Sequence, residues 1–343
     1  MLRQSKEKIS VRSIAKHLGL SPATVSLALN GSRPTSFVSQ ATRKQVWDAA
    51  KEMGYPMDRL RSTRTPLERV AVIMPGGPNP VYSETALAVC HTLNRNRVQV
   101  LTHVTLSDSE ANNAIKELLR RQEIDAAVFI GSRTILPDVS IPTVFVGEVP
   151  EDSNVWQVRP DNEGGGRSVG EYLWSLGHRS IAVMLNKRFS LAADRRLQGL
   201  RAYWEEQGES FQDRWVVHVD PITSSQSEFR DSVTRFITED RKSPNPVTAI
   251  FCFNDWGAAF LLKELRGQGI RVPEDMSVIG FDDSIYAELL DPPLTTVKHP
   301  FATLGELSAQ MLLEQADKPS DAPRSVVARC QLIIRKSCAP PRS

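Results

Sequence analysis

Basic side chains near the start of the chain suggest the first chemistry to consider. Residues 1–65 contain 12 lysines and arginines against 4 aspartates and glutamates, a balance of +8, whereas the other 278 residues contain 30 against 36, a balance of −6. A basic segment attached to a mildly acidic body predicts contact with a polyanion such as nucleic acid. From charge alone, a solvated tail with chance charge is an equally good interpretation.

Patterns that carry catalysis or bind metal do not occur in the sequence. It contains no G-x-S-x-G elbow, no H-E-x-x-H and no cluster of cysteines and histidines. Its six histidines are scattered and form no evident dyad. The run Gly164–Gly166 matches neither G-x-G-x-x-G nor the Walker A motif, so close packing at a helix start explains it better. We therefore predict a protein that is not an enzyme and that uses no metal or cofactor.

The composition is that of a soluble globular protein, with 41% hydrophobic and 24% charged residues. No apolar run reaches the roughly 18–20 residues of a membrane helix, and the first ten residues lack the apolar region of a secretory signal. The four cysteines form no C-x-x-C pair, which fits a reducing compartment. A cytoplasmic location is the prediction.

Three short helices are predicted in the basic segment. One face of the first helix is apolar (Ile14, Ala15 and Leu18). Gly19 then allows the left-handed backbone that a tight turn between two helices requires. Ser21 and Pro22 begin the second helix, with serine as N-cap and proline at the first helical position.

The second and third helices complete a helix-turn-helix pattern. The second helix buries Val25, Ala28 and Leu29 and ends at Asn30–Gly31, a typical C-cap signal. The third begins at Ser39 and stops at Gly54, and its apolar face consists of Val46, Ala49, Ala50 and Met53. In a helix-turn-helix the second helix enters the major groove of DNA. A generic three-helix bundle is the alternative.

From Arg69 onward, short apolar runs alternate with amphipathic segments. The runs are "RVAVIMP", "VQVLTHV", "AAVFIG", "TVFVGE", "SIAVML", "TAIFCF" and "MSVIGF", and "SETALAVCHTLN" and "EANNAIKELLRRQ" are among the helical segments. Such alternation predicts an α/β architecture with parallel sheets. Seven or more units suit two doubly wound subdomains, with a ligand cleft between them at the carboxyl ends of the strands.

These motifs carry a resemblance to a known family. "SIAKHLGLSPATVSLALNG" followed by "VSQATRKQVWDAAKEMGY" resembles the DNA-binding head of the lactose-repressor (LacI) family. The segments "DNEGGGRSVGEYLWSLGHRSIAVM", "RRLQGLRAYW", "FNDWGAAFLLKEL", "VPEDMSVIGFDDS" and "DPPLTTVKHPFATLGELSA" resemble its effector-binding and dimerisation core. The resemblance spans about residues 10–337. It implies a three-helix head followed by two parallel-sheet subdomains of the type I periplasmic-binding-protein-like fold.

The resemblance implies a set of DNA contacts in the head. Base contacts fall on Pro22, Ala23 and Leu27, while Ser21, Thr24, Ser26, Asn30, Ser39 and Thr42 hold phosphates or cap helices, and Arg12, Tyr55 and Leu60 complete the DNA-binding set. Ala23 and Leu27 cannot make bidentate hydrogen bonds, but both can pack on a thymine methyl group. We therefore predict an apolar readout with most of the affinity from phosphate contacts. In the alternative, Leu27 packs on the third helix.

Two segments depart from the family pattern. "NGSRPTSFVS" is about three residues longer than the usual loop between the second and third helices, and its Arg33 could reach a phosphate. "YPMDRLRSTRTP" is about three residues shorter than the usual hinge and lacks its asparagine, so Leu60 is the available wedge for the minor groove but is out of register. Arg59, Arg61 and Arg64 offer electrostatic contact from this linker instead.

The resemblance also implies an effector site. Arg196, Asn254 and Asp282 match the polar effector contacts, Tyr82 matches a pocket position and His299 lies in the crossover region facing the ligand. A family carboxylate position falls on Gly147, with Glu148 beside it, and an aromatic platform falls on Ile222. The implied ligand is therefore not an ordinary hexose. Structural alternatives stay open: Arg196 could pair with Asp194, Asp282 could cap a helix, and Asn254–Asp255 could be a helix start.

These observations define the expected organisation and function. The expected parts are a helix-turn-helix domain at 9–56, a shortened hinge at 57–67 and a core at 68–338, whose N-subdomain takes about 68–160 and 295–324 and whose C-subdomain takes about 161–294 and 325–338. We expect a sequence-specific transcriptional regulator, a repressor that binds a pseudopalindromic operator as a homodimer and responds to a sugar or related metabolite. The helix "SETALAVCHTLN" is the candidate dimer surface. A constitutive regulator with a vestigial pocket, or a periplasmic solute-binding protein, is the alternative.

Overall fold

The computed structural model describes residues 9–30, 38–55, 67–76, 80–131, 141–151, 153–186, 190–219, 226–317 and 322–342. The predicted contacts at Leu60, Arg33, the linker arginines and Ile222 fall outside these residues. Within the described ranges, no helix combines the length and apolarity needed to cross a membrane.

The head folds as three helices, as predicted. They are α1 (Val11–Leu18), α2 (Pro22–Asn30) and α3 (Gln40–Glu52). Gly19 ends α1 with φ of 64°, the left-handed conformation that the tight turn needs. Their shared core is apolar and buried (Ile14, Ala15, Val25, Ala28, Leu29, Val46, Ala49 and Ala50). The Trp47 indole N–H donates a 3.0 Å hydrogen bond to the Ala28 carbonyl, which ties α3 to α2.

The N-subdomain contains a six-stranded parallel sheet. Its strands are β1 (Arg69–Pro75), β2 (Gln99–Thr105), β3 (Ala126–Ile130), β4 (Thr143–Val146), β5 (Trp156–Pro160) and β11 (Ser325–Ala328), and its helices are α4 (Val81–Arg95), α5 (Asp108–Arg120) and α11 (Phe301–Asp317). The strand order is β11-β5-β4-β3-β1-β2. Val70 and Val72 of β1 pack with α4 and α11, while Ala71 and Ile73 pack with α5. Both faces of the sheet are therefore covered, which is why β1 reads as a continuous apolar run.

The C-subdomain has a second six-stranded sheet. Its strands are β6 (Ile181–Asn186), β7 (Val216–Val219), β8 (Ala249–Cys252), β9 (Ser277–Asp282), β10 (Thr295–Lys298) and β12 (Gln331–Ile333), in the order β12-β10-β9-β8-β6-β7. Its helices are α6 (Asn162–Ser175), α7 (Leu191–Glu206), α8 (Gln226–Asp240), α9 (Asp255–Gly267) and α10 (Ile285–Leu289), with a 3-10 turn at Asp213–Trp215. Only the pairing of β12 with β10 is antiparallel among these strands.

The chain crosses between the subdomains three times, after β5, after β10 and after β11. Two of the expected boundaries differ in the structure. Strand β10 was expected in the N-subdomain but belongs to the C-subdomain sheet, and β11 was expected in the C-subdomain but belongs to the N-subdomain sheet. The crossings that were expected near residues 295 and 325 therefore lie a few residues later. Short strands flank both crossings, and their apolar pattern does not reveal which sheet they join.

Helices α6 and α7 pack against each other at unusually close range. A Cβ atom added to Gly166 would lie 1.9 Å from the carbonyl oxygen of Arg196, and one added to Gly199 would lie 1.9 Å from that of Glu163. Gly166 of "NEGGGRS" thus serves close helix packing, as the sequence predicted, and lets α7 lie against the start of α6, whereas Gly165 packs on Phe281 of β9.

The segment after β12 fastens the C-subdomain sheet. The buried Ser337 hydroxyl donates to the Val278 carbonyl at 2.5 Å and accepts the Thr295 N–H at 2.8 Å. The buried His178 imidazole contacts the Ala339 carbonyl at 3.0 Å. Ser337 and Ala339 thus tie the segment after β12 to the subdomain core, although most of the segment's side chains are exposed or half-buried.

Candidate functional site

The head presents an exposed surface on helix α2. Pro22 and Ala23 are exposed, and the Leu27 side chain remains 47% exposed. About half of Leu27 is covered, so its packing on α3, the structural alternative, stays open beside the DNA-contact role. An apolar side chain held in water on this helix is available for a thymine methyl group.

Serine hydroxyls cap the N-termini of helices α2 and α3. The Ser21 hydroxyl accepts the Thr24 N–H at 3.0 Å, and the Ser39 hydroxyl accepts the Thr42 N–H at 3.1 Å. These bonds satisfy backbone donors at the helix N-termini and hold each hydroxyl at the surface. Among the other predicted contacts, Arg12 is exposed, Ser26 is half-buried and Tyr55 packs against the head core, while only the backbone of Asn30 is described.

A cavity of about 470 Å³ lies between the two subdomains. Its wall includes all six residues predicted to contact an effector: Tyr82, Glu148, Arg196, Asn254, Asp282 and His299. Apolar residues from both subdomains, among them Ile130, Val146 and Phe253, line the rest. A pocket of this size with an apolar wall and a few convergent polar groups suits a small organic ligand.

Arg196 of α7 is the buried cation of the cleft. Its Nε donates to Asn162 Oδ1 at 2.8 Å, its Nη1 donates to the Phe253 carbonyl, and its Nη2 lies 3.8 Å from Asp282 Oδ1. The guanidinium also lies over the Phe281 ring, 3.5 Å from its centroid. Its carboxylate partner is thus Asp282 and not Asp194. The group is fixed in orientation with an edge toward the cavity, as a planar recognition element requires.

Glu148 does not face the cavity as a free carboxylate. Its side chain is 3% exposed, and its Oε2 lies 3.0 Å from Arg195 Nε across the cleft. Its Oε1 accepts the Asn162 amide at 2.9 Å and lies 3.7 Å from Arg159 Nη1. Arg195 also binds Glu151 at 3.0 Å. Glu148 and Glu151 belong to the N-subdomain and Arg195 to α7, so this cluster joins the two subdomains at the edge of the site.

Asn254 and Asp282 lie at the ends of strands β8 and β9. Asn254 Oδ1 accepts the Gly257 N–H at 2.8 Å and caps α9, so the predicted helix-start role is confirmed for this oxygen. The side-chain NH₂ group of Asn254 carries two N–H donors that this oxygen contact does not use. Asp282 does not cap α10, whose N-cap residue is Ser284. Instead Asp282 and Asp283 both adopt positive φ, 121° and 55°.

Buried titratable groups beside the cleft have shifted pKa values. His299 is 6% exposed, and burial, together with the nearby Arg196 charge, lowers its pKa to about 3. The imidazole is therefore neutral at physiological pH and stacks on Phe301 with a centroid distance of 4.5 Å. Burial raises the pKa of Asp255, behind the cleft, to about 6.

Tyr82 at the start of α4 forms the N-subdomain side of the pocket. Its ring covers Gly131, where an added Cβ would lie 2.4 Å from Tyr82 Cε1. Gly147 has φ of 109°, and its carbonyl accepts the Gln157 amide at 2.8 Å. The absence of a side chain at Gly147 leaves the adjacent Glu148 as the carboxylate at this edge.

Sequence reasoning missed Asn162 and Arg195. Asn162 is fully buried and bridges Glu148 of the N-subdomain to Arg196 of the C-subdomain. It follows β5, whose sequence "WQVRP" is too polar to be recognised as a strand. A signal was available in the helix start "DNEGGG", because Asp161 N-caps α6 and fixes the residue after it.

Two family models match the chain. The lacI family of bacterial regulatory proteins matches residues 10–57, and the periplasmic binding protein-like domain matches residues 171–338. The chain is 30% identical to the HTH-type transcriptional repressor CytR of Escherichia coli (strain K12), with 98% of both chains covered. It is 28% identical to the HTH-type transcriptional regulator DegA of Bacillus subtilis (strain 168), covering 97% of this chain and 99% of the relative.

Structural comparison agrees over the same range. The transcriptional regulator CelR in complex with cellobiose superposes with a TM-score of 0.69 at 27% identity, covering 96% of this chain and 99% of that one. The head, the two subdomains and the cleft all fall within the matched length. The chain is a DNA-binding transcriptional regulator and belongs to the lactose-repressor (LacI) family.

Proposed function

We propose that the protein is a repressor that binds a pseudopalindromic operator as a homodimer and is controlled by a small molecule in the cleft. The observation that carries this proposal is the pairing of an exposed, apolar recognition helix with a cleft whose polar groups converge from both subdomains. A ligand that prefers one arrangement of the subdomains would change the positions of the two heads.

Recognition of DNA is assigned to helix α2 and its flanking caps. Pro22, Ala23 and Leu27 would contact bases, while Ser21, Thr24, Ser39 and Thr42 would contact phosphates. Selection of bound fragments from random duplex DNA by the purified chain, at near-physiological salt, tests this assignment. Two inverted half-sites with a thymine facing Leu27 are expected. Binding that is salt-sensitive but blind to sequence would overturn it.

A homodimer is supported by exposed apolar side chains on the N-subdomain. Ala86, Val89 and Leu93 of α4 are buried within the chain, so the candidate dimer helix contributes mainly Leu87, which is 68% exposed. Val104 and Leu106, at 58% and 81%, lie at the end of edge strand β2. Cys90 of α4 contacts Thr102 of β2 at 4.0 Å, which places Leu87 near Val104.

The C-subdomain carries a second exposed apolar set on helix α10. Ile285, Tyr286 and Leu289 are 70%, 42% and 77% exposed. Two such patches, one on each subdomain, suit a partner that contacts both, as a second copy of the chain can. Sedimentation equilibrium of the full chain is expected to give twice the chain mass.

The effector is assigned to the cleft between the subdomains. Arg196, Asn254 and Asp282 offer fixed donors and a carboxylate from the C-subdomain, and Tyr82 closes the site from the N-subdomain. A sugar or related metabolite fits such an arrangement. Thermal unfolding should be measured with D-ribose, D-glucose, cellobiose, adenosine and cytidine, because a ligand of the folded state raises stability by roughly 2.7 kcal/mol at 100 times its Kd.

A constitutive regulator with a vestigial pocket is the second candidate. Glu148 favours it, because this carboxylate already forms ion pairs with Arg195 and Arg159 and accepts the Asn162 amide, although its Oε2 has no hydrogen-bond partner among the described residues. A melting temperature that stays constant across a broad metabolite panel, with operator binding intact, would favour this candidate over the effector-controlled one.

We also propose that the protein acts in the cytoplasm without catalysing a reaction. The buried charges of the cleft support this proposal, since Arg196, Asp282 and Glu148 are paired with one another or with neighbours, and the His299 imidazole is held neutral. Incubation of the panel compounds with the protein, followed by mass spectrometry, is expected to return them unchanged.

A further inference from the structure

The turn after strand β9 holds two consecutive residues in an unfavourable backbone conformation. Asp282 has φ of 121° and Asp283 has φ of 55°, a region that residues with a Cβ rarely adopt. Such conformations persist only where the surroundings determine them, and they concentrate at ligand clamps and switch regions. Asp282 is also the residue whose carboxylate reaches Arg196 in the cleft.

Asp255, at the start of α9, is hydrogen-bonded to this turn and to the neighbouring strand β10. Its side chain is almost completely buried and lies outside the set of cavity-lining residues. Asp255 Oδ2 accepts the Ser284 N–H at 2.7 Å, and its Oδ1 accepts the Thr296 hydroxyl at 2.5 Å. The Thr296 oxygen in turn accepts the Asp283 N–H at 3.4 Å. The Asp255 carboxylate thus accepts the Ser284 amide directly. It also holds the Asp283 amide indirectly, through the Thr296 hydroxyl.

Other contacts fix the same turn. Arg335 Nη2 binds Asp283 Oδ1 at 2.6 Å, and its Nη1 donates to the Leu294 carbonyl at 2.9 Å. The Asp282 carbonyl accepts the His299 N–H at 3.1 Å. The space that Asp255 occupies depends on Gly280, where an added Cβ would lie 2.3 Å from Asp255 Oδ1. A glycine in "SVIGFDD" therefore makes room for the carboxylate under β9.

We propose that Asp255 is a positioning residue for the effector site, since its bonds to Ser284 and Thr296 hold the strained turn that aims the Asp282 carboxylate into the cleft. This inference rests on the proposed effector role of the cleft. Without Asp255, the turn relaxes to ordinary backbone angles and Asp282 leaves its place beside Arg196.

Hydrogen exchange of the full chain tests the proposal without a ligand. Asp255→Ala removes both acceptors, whereas Asp255→Asn keeps an oxygen for the Ser284 amide. Asp213→Ala is the matched control, because this carboxylate lies in the same subdomain, is 91% exposed and pairs with Arg201 at the surface. In Asp255→Ala, peptides that span residues 281–285 should exchange at least about tenfold faster. Asp255→Asn should restore most of the protection, and Asp213→Ala should match the wild type.

Two results would overturn the proposal. Unchanged exchange in the turn would mean that Asp255 does not hold it, and equal acceleration over all strands of the C-subdomain would mean that Asp255 only supports the core. The five-compound thermal panel then separates this proposal from the proposed function. Any compound that stabilises the wild type should bind Asp255→Ala at least about tenfold more weakly and Asp255→Asn nearly normally. Equal affinity for both variants contradicts the positioning role. If no compound binds the wild type, the effector assignment fails, while the exchange result still decides whether Asp255 holds the turn.

Discussion

Substitution of Gly166 by alanine tests the close contact between α6 and α7. The new Cβ would lie 1.9 Å from the Arg196 carbonyl oxygen, whereas ordinary contacts begin near 3.4 Å, so the helices must separate by about 1.5 Å. Both clashing groups belong to helix backbones, so no flexible side chain can move aside. Overpacking of this kind costs about 3 kcal/mol, from which a gain in helix propensity of up to about 1 kcal/mol is subtracted. We expect a net loss of about 2 kcal/mol or more.

Thermal unfolding followed by tryptophan fluorescence measures this loss. Trp174 of α6 and Trp204 of α7 are edge-to-face with centroids 5.3 Å apart, so two of the six tryptophans lie in the helix pair and contribute to the signal. The midpoint should fall by roughly 4–8 °C for a subdomain of this size. Gly267→Ala is the control, because Gly267 is exposed in α9 with no atom within 4 Å of an added Cβ, and alanine there should be neutral or slightly stabilising. Equal midpoints for the two variants would refute the packing argument.

Three further substitutions address the head, the cleft and the dimer. Leu27→Ala should weaken binding to the selected operator roughly tenfold; replacing the facing thymine by uracil, which lacks the methyl group, should weaken wild-type binding but not that of the variant. His299 has a pKa lowered to about 3 in the folded chain against about 6.5 unfolded, so the unfolded state binds the extra proton and stability is lost as pH falls below about 6.5. His299 contributes about 1.4 kcal/mol per pH unit to the pH dependence of the unfolding free energy. His299→Gln should therefore make the urea midpoint less dependent on pH between pH 7 and 5. An unchanged pH dependence would contradict a neutral buried imidazole. Leu106→Asp should convert the dimer to a monomer in sedimentation equilibrium, whereas Ile334→Asp, at an exposed position away from the β2 edge, should not; a dimer that survives Leu106→Asp places the interface elsewhere.

Sequence reasoning succeeded where one local rule dominates. The strands with fully buried faces, such as β3 and β9, read as apolar runs because helices cover both sides of their sheets. The caps at Ser21 and Ser39 were readable because serine before a helix meets a backbone donor within the same turn. Periodicity failed at strands β5 and β10, which carry polar residues near the crossings between subdomains.

The cleft was only partly predictable for a different reason. Its six expected residues do line one cavity, and the resemblance located them. The actual role of each polar atom depends on neighbours that are distant in sequence: Glu148 is engaged by Arg195 of α7, and Asn162 joins two subdomains from a crossing. No spacing rule connects positions 148, 162 and 195, because folding of three separate segments brings them together.

Strand β12 and the segment after it pair with strand β10, which is synthesised earlier, so the C-subdomain sheet stays incomplete for part of protein synthesis. Strand β10 ends at Lys298 and its antiparallel partner β12 begins at Gln331, about 33 residues later. At roughly 5–20 residues per second, the ribosome needs about 2–7 seconds to make that stretch. During this interval the edge of β10, the buried Thr295 amide and the Val278 carbonyl lack the partners that Ser337 supplies. The nascent C-subdomain therefore carries an unpaired strand edge during this interval, and ribosome stalling in this window would prolong its exposure to other chains.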